Sequence, residues 1–245
     1  MMPCCIQVIN PNTSPEMTHT IASAARQVAA PGTTILASCP TQGVASIEGH
    51  FDEAIAAIGV LEQIKKGMAQ GVHGHVIACF GDPGLLAARE LATGPVVGIA
   101  EAAMHVATMV ATRFSIVTTL PRTVIIARHL LQQYGFEHHC AALHAIDLPV
   151  LALEDGTGLA QQKVRERCIQ AKREDNSGAI VLGCGGMANL ASELTQELGI
   201  PVIDGVTAAV KMVESLLALG LGTSKYGDLA YPNKKPLSGC FEMLS

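Results

Sequence analysis

The chain has 245 residues, of which 49% are apolar, only 15% are charged and none is tryptophan. That is long enough for one large domain or two smaller ones, packed in tight layers of small side chains. A net charge of −5 with no basic block argues against a nucleic-acid partner, and no apolar run reaches the roughly 18 residues of a membrane helix.

In chain order, Cys5–Ile9 reads as a strand ending in Asn10-Pro11-Asn12-Thr13-Ser14. Ser14 caps a helix to about Val28, with Pro15 at its first position. Thr33–Ala37 is a second strand, followed by a loop with Pro40, Gly43 and Ser46. Phe51, Ile55, Ile58, Leu61 and Ile64 mark one apolar face of a long helix. His75–Ala78 is a strand that runs into Cys79-Phe80-Gly81-Asp82-Pro83-Gly84 and a helix. Pro95–Gly98 and Glu101–Ala111 complete this first set as strand and helix.

The pattern then begins again. Phe114–Val117 is a strand ending in Thr118-Thr119, and Pro121 opens a helix to about Tyr134. A strand over about His138–Ala145 and a helix over Leu159–Arg173 follow. The buried-strand signature Ala179–Leu182 presents Cys184 and turns through Gly185-Gly186 into a helix reaching about Leu198. Pro201–Ile203 is the last strand, and Val206, Val210, Val213 and Leu217 face one side of the final helix. The tail, Gly222–Ser245, wraps the surface.

The halves repeat. Pro95-Val96-Val97 with Ala102-Ala103 recurs as Pro201-Val202-Ile203 with Ala208-Ala209, and Cys79 recurs as Cys184, each roughly 105 positions on. Alternating strands and helices imply parallel sheets covered on both faces. The expected fold is therefore α/β, with two parallel-sheet domains related by a pseudo-twofold axis. Residues 1–97 with 208–245 form one domain and residues 98–207 the other, and the active site lies in the cleft between them.

Two thiols at matching strand ends would approach a ligand from opposite sides, which is what racemisation requires. One thiolate removes a proton next to a carbonyl, and the opposing thiol returns one to the other face. A thiol's reference pKa of about 8.5 suits either role once backbone amides favour the thiolate. The developing enolate oxygen would be held by N–H groups near Gly81, Gly185 and Gly186 and by Thr118 or Thr119. Gly-Cys-Gly-Gly and Gly81-Asp82-Pro83-Gly84 both lack the spacing of a nucleotide loop, and no ligand set for a metal is apparent. No cofactor or metal is expected.

These residues carry a family resemblance along most of the chain. Asn10–Ser14, Ser46–Gly49, Ala78–Gly84, Ile116–Arg122, Leu182–Met187 and Pro201–Gly205 resemble the hydantoin racemase branch of the aspartate/glutamate racemase superfamily. Within the branch, the similarity is greatest to members acting on allantoin, a ureido-substituted hydantoin. The resemblance implies two flavodoxin-like domains, a last helix crossing back to the first domain, a homo-oligomer and a cofactor-free reaction. It also implies that Cys79 and Cys184 are the acid/base pair and that the substrate is allantoin or another 5-substituted hydantoin. Pro11, Asn12, Ser46, Ile47, Phe80, Gly81, Thr118, Thr119, Arg122, Gly185 and Gly186 fall at pocket positions of the family. Amino-acid racemases of the superfamily usually place Asn-Thr after the first cysteine and a His near the second. Phe80-Gly81 and the lack of a His near Cys184 argue against an α-amino carboxylate. Many hydantoin racemases carry Ala at Gly185, and the smaller residue would admit a ureido group.

The other residues have plainer readings. Cys4, Cys5, Cys39, Cys140, Cys168 and Cys240 have no motif partner and read as packing or surface thiols. His73, His75, His138 and His139 read as solvated or hydrogen-bonded groups. Asp82 reads as a helix cap, and Asp204 either as a turn or helix cap or as a supporting group near the cleft. Cysteines without CxxC pairs, and a strand starting next to the first residues with no signal-peptide pattern, lead to a cytoplasmic expectation. Two rival functions remain: a related cofactor-free decarboxylase, which needs only one thiol, and a non-catalytic binding protein, which needs none.

Overall fold

The structure is a computed structural model that describes residues 4–244, so the outermost positions of the first domain's expected range, 1–3 and 245, lie outside the described residues. In the first half, β1 (Cys4–Ile9), β2 (Thr33–Ser38), β3 (Gly74–Ile77) and β4 (Val96–Gly98) form a parallel sheet of order β2-β1-β3-β4. In the second, β5 (Phe114–Thr118), β6 (Cys140–Ala145), β7 (Ala179–Leu182) and β8 (Val202–Asp204) repeat that order as β6-β5-β7-β8. The expected pair of α/β domains is present, with one topology used twice.

Among the described residues, eight α-helices cover the sheets: α1 (Pro15–Val28), α2 (His50–Ala69), α3 (Leu85–Leu91), α4 (Ile99–Val110), α5 (Pro121–Tyr134), α6 (Leu159–Asp175), α7 (Ala191–Leu198) and α8 (Gly205–Ala218). β3 and β7 are buried throughout, as expected of central parallel strands with helices on both sides. Each fully buried Ile, Leu or Val among them contributes about 1.5–3 kcal/mol of apolar transfer. No helix among the described residues is long and apolar enough to cross a membrane.

Two helices are exchanged between the halves. α4 follows β4 of the first sheet, yet Ala100, Ala103, Met104 and Ala107 pack on Phe114, Ile116 and Val181 of the second. α8 follows β8 of the second sheet, yet Val206, Val210 and Val213 pack on Ile6, Val8 and Val76 of the first. Gly205 permits the crossing, because a Cβ there would lie 2.7 Å from Ile99 Cβ.

Some sequence expectations shift. The helix after Cys184 is two pieces, a 3-10 segment over Gly185–Leu190 and then α7. The strand expected from His138 begins at Cys140, after a 3-10 turn over Glu137–His139. On α2 the buried stripe is Ala56, Gly59, Val60, Gln63, Ile64 and Gly67, whereas Phe51 is 77% exposed. The reason is close approach: a Cβ at Gly59 would lie 3.0 Å from Pro40, and one at Gly67 would lie 2.7 Å from Gln7 Cδ. Small residues, not the large apolar ones, let this helix down onto its sheet.

Candidate active site

Both cysteines follow the same backbone construction. Ala78 N–H donates to the Ile9 carbonyl at 2.8 Å, and Gly183 N–H donates to the Val117 carbonyl at 2.7 Å. Each is followed by its cysteine, whose carbonyl accepts from the residue three positions on, Asp82 at 3.0 Å and Met187 at 3.1 Å. The backbone N–H of the glycine between, Gly81 or Gly186, acts on the sulfur to favour its charged form. In each sheet the turn lies beside the strand where the chain order reverses direction, the usual place for a ligand crevice.

The two turns wall one small cavity of about 50 Å³ that opens to solvent. Cys79, Phe80, Gly81, Asn10, Asn12, Ile47 and Glu53 line it from the first half. Cys184, Gly185, Gly183, Thr118, Thr119, Thr123 and Val150 line it from the second. Both thiols keep partial exposure, directed at this cavity.

Burial pushes both sulfurs upward. Cys184 rises to about 11, with Glu154 and Glu48 adding to the effect and the Gly186 N–H opposing it. Cys79 rises further, through burial first, with the charges of Cys184, Asp82 and Glu53 adding and the Gly81 N–H opposing.

The polar wall is fixed from behind. Asn12 Oδ1 accepts from Ser14 N–H at 2.9 Å and Asn10 Nδ2 at 2.6 Å, which leaves Asn12 Nδ2 beside Met17 Sδ at 3.3 Å. Thr118 Oγ1 donates to the Gly183 carbonyl at 3.0 Å and contacts Thr123 Oγ1 at 3.0 Å, so it braces the thiol loop. Among the described residues the Thr119 hydroxyl and the N–H groups of Phe80 and Gly185 have no protein partner, and all three residues line the cavity.

The loop between β2 and α2 ties the halves together across the mouth. Glu48 Oε1 accepts the Val150 N–H at 2.9 Å, and the His50 ring stacks on His129 of α5 with centroids 5.8 Å apart. Arg122 reaches over the same loop, its Nη2 2.9 Å from where a Cβ of Gly49 would stand.

Of the residues expected in the pocket, Cys79, Cys184, Asn12, Ile47, Phe80, Gly81, Thr118, Thr119 and Gly185 line the cavity. Pro11, Ser46, Arg122 and Gly186 lie outside its wall; Arg122 is exposed at the mouth, and Gly186 acts on the Cys184 sulfur. The expected oxyanion donors are redistributed, since Gly81 and Gly186 serve the thiols and Thr118 serves Gly183. Gly185 does not make room for substrate: a Cβ there would lie 2.8 Å from the Ala78 carbonyl oxygen, so glycine lets the two halves approach.

Asp204 caps α8 through Thr207 N–H at 2.8 Å, whereas Asp82 caps α4 rather than the helix that follows it. His75 is buried and bonded to Gln7 Oε1 at 2.9 Å, and no cluster of three or more metal-ligating side chains occurs among the described residues. Asn10, Glu53 and Thr123 were not anticipated on the wall. Only Asn10 carried a signal, as the first residue of a polar strand end.

A match to the Asp/Glu/hydantoin racemase family spans residues 6–213. The hydantoin racemase of Rhizobium meliloti is 51% identical over 96% of this chain and 97% of its own. The solved allantoin racemase from Klebsiella pneumoniae is 79% identical, with a TM-score of 0.98 covering 98% of both chains. A glutamate racemase from Bacillus anthracis shares the fold alone, at 17% identity and a TM-score of 0.66 over 90% of this chain and 84% of that one.

Proposed function

This chain belongs to the Asp/Glu/hydantoin racemase family and is an isomerase of the hydantoin and allantoin racemase type; from that premise we propose that it inverts the C5 stereocentre of allantoin by proton transfer between Cys79 and Cys184. The observation that carries the reading is two thiol turns with matching backbone hydrogen bonds, lining one cavity from opposite halves.

In this mechanism a thiolate takes the C5 proton, and the C–H electron pair moves onto the adjacent carbonyl as an enolate. The opposing thiol then protonates C5 from the other face and the carbonyl reforms. Both catalytic groups belong to the chain, so the reaction uses no cofactor. Burial raises both thiols, and the Gly81 and Gly186 N–H groups oppose that rise at Cys79 and Cys184 respectively. The Thr119 hydroxyl and the Phe80 and Gly185 N–H groups are the donors left free for the enolate oxygen. Enclosure within the cavity strengthens those hydrogen bonds.

Two observations favour allantoin over hydrocarbon-substituted hydantoins. One is the 79% identical allantoin racemase. The other is the wall beside the thiols, where the Glu53 carboxylate and Asn12 amide match the three N–H groups and one carbonyl of a ureido substituent. Sparse surface charge supports a homo-oligomer, which sedimentation would check, and a cytoplasmic setting is part of the same reading. The division into residues 1–97 with 208–245 and 98–207 likewise stands as a proposal, supported by the exchanged helices.

Optical rotation with allantoin, benzylhydantoin and isobutylhydantoin, run in deuterated water, tests the whole reading. Allantoin is expected to racemise fastest, with deuterium entering both enantiomers and no mass lost to decarboxylation. Normal racemisation by Cys79→Ser or Cys184→Ser would overturn the two-thiol mechanism.

A further inference from the structure

The two thiol turns share their backbone hydrogen bonds but differ at their fourth residue. Met187 closes the turn after Cys184 and is fully buried among apolar neighbours. Asp82 closes the turn after Cys79, in the left-handed region at φ +45, and is only 5% exposed. Its carboxyl accepts three hydrogen bonds, from Ala100 N–H at 3.0 Å, Glu101 N–H at 2.9 Å and the Tyr134 hydroxyl at 2.8 Å. Gly98 leaves room for it, since a Cβ there would lie 2.5 Å from Asp82 Oδ2. Three donors and the N-terminus of α4 suit a carboxylate, while burial opposes the charge and brings the group up to about 7.

The charged groups around it are few. Glu101 on α4 is paired with Arg89 of α3 at 2.5 Å, Tyr134 comes from α5, and Glu53 of α2 lies toward Gly81 with His50 at 3.0 Å. Glu53, Glu48 and Glu154 are all partly exposed, so solvent screens them, whereas Asp82 is enclosed. It is the buried carboxylate that distinguishes one thiol turn from the other.

We propose that Asp82 is a positioning residue that holds the proton on Cys79, so that Cys184 and not Cys79 is the thiol that ionises to take the C5 proton. This rests on the two-thiol reading above. In one direction the C5–H bond breaks and its proton goes to Cys184, while the Cys79 S–H bond breaks and its proton goes to C5. The charge thus passes from Cys184 to Cys79, and the product leaves an enzyme in the opposite protonation state. The buried charge of Asp82 disfavours a thiolate at Cys79, so return of a proton from Cys184 to Cys79 runs downhill. Because the enantiomers have equal free energy, kcat/KM is the same in both directions, and the inequality appears in kcat and KM separately.

The test is iodoacetamide alkylation of the full-length protein, read at each cysteine by peptide mass spectrometry across pH. Cys184 is expected to react at least about 10-fold faster than Cys79, since one pKa unit is tenfold in thiolate. The Cys79-to-Cys184 ratio should fall as pH rises through about 7, where Asp82 ionises. Asp82→Asn should remove that inflection, raise the Cys79 rate roughly 10-fold, leave Cys184 within about 2-fold, and bring the two kcat values closer together. An unchanged Cys79 rate, or equal acceleration of both thiols, would overturn the proposal.

Tyr134→Phe removes one donor to the carboxylate without removing the charge, and it should move the inflection to higher pH. If Asp82→Asn does not fold, an unmoved inflection in Tyr134→Phe is the overturning result. Alkylation does not depend on turnover, so a failure here is distinguishable from normal racemisation by the serine variants.

Discussion

Past Cys79 the chain turns through Gly81 to Asp82, whose carboxyl is held by the start of α4 and by Tyr134 of the opposite half. Past Cys184 an equivalent turn runs through Gly186 to Met187, which packs among Leu153, Ala191 and Leu194. The helix starts show the same divergence. Asp204 caps α8 from its own N-cap position, while α4 has Gly98 there and borrows the carboxylate of Asp82. Duplication kept the backbone that aims two sulfurs at one cavity, and the side chains around each sulfur then became unequal. Chemistry on mirror-image substrates needs the shared backbone geometry, but nothing requires the two thiols to be electrostatically identical.

The comparison breaks most completely at the sulfurs. Replacing either thiol with serine should lower allantoin racemisation on the order of 10³-fold, since each removes one partner of the acid/base pair. Polarimetry checks this, and a large loss in one variant only would deny the equivalence of the halves.

The next largest effect is on substrate choice. Glu53→Leu should raise KM for allantoin about 10-fold or more, because the ureido N–H groups lose a charged acceptor, while isobutylhydantoin is hardly affected. Parallel losses on both substrates would place Glu53 in structural support instead.

Helix starts come third. Gly98→Ala drives a Cβ into the Asp82 carboxyl and should destabilise by about 1–3 kcal/mol in urea unfolding. Asp204→Ala in the other half removes an ordinary cap and should cost about 1 kcal/mol.

The smallest effect is a pH dependence of stability. Burial raises Cys184 in the folded state from its ordinary 9.0 to about 11, so the folded protein favours the neutral thiol. That stabilisation is intact below pH 9.0 and is lost as pH rises toward about 11. Thermal melting across this window should fall less steeply in Cys184→Ser than in the parent protein.

Much of this was legible in the chain. Short apolar runs ending in Asn10, Cys79, Thr118 and Cys184 mark strands whose polar ends must face a crevice, and the spacing of the repeat shows that the crevices pair. The buried face of α2 departs from its apolar periodicity because hydrophobic size is a poor guide where glycines set the helix–sheet distance. Glu53 was invisible for a related reason: in sequence it is an acidic residue in the first turn of a helix, a position usually explained by the helix dipole.

From the sequence alone came the alternation of strands and helices, its repetition, and the two thiols at equivalent strand ends. All of these follow from local periodicity and spacing, which the chain carries wherever it folds. Only the tertiary structure decided that Asp82 serves a helix 17 positions further along the chain and that Glu53 lines the cavity with the two thiols. Those outcomes depend on which atoms fill the space a missing Cβ leaves and on which half supplies them, and neither is encoded in any one segment.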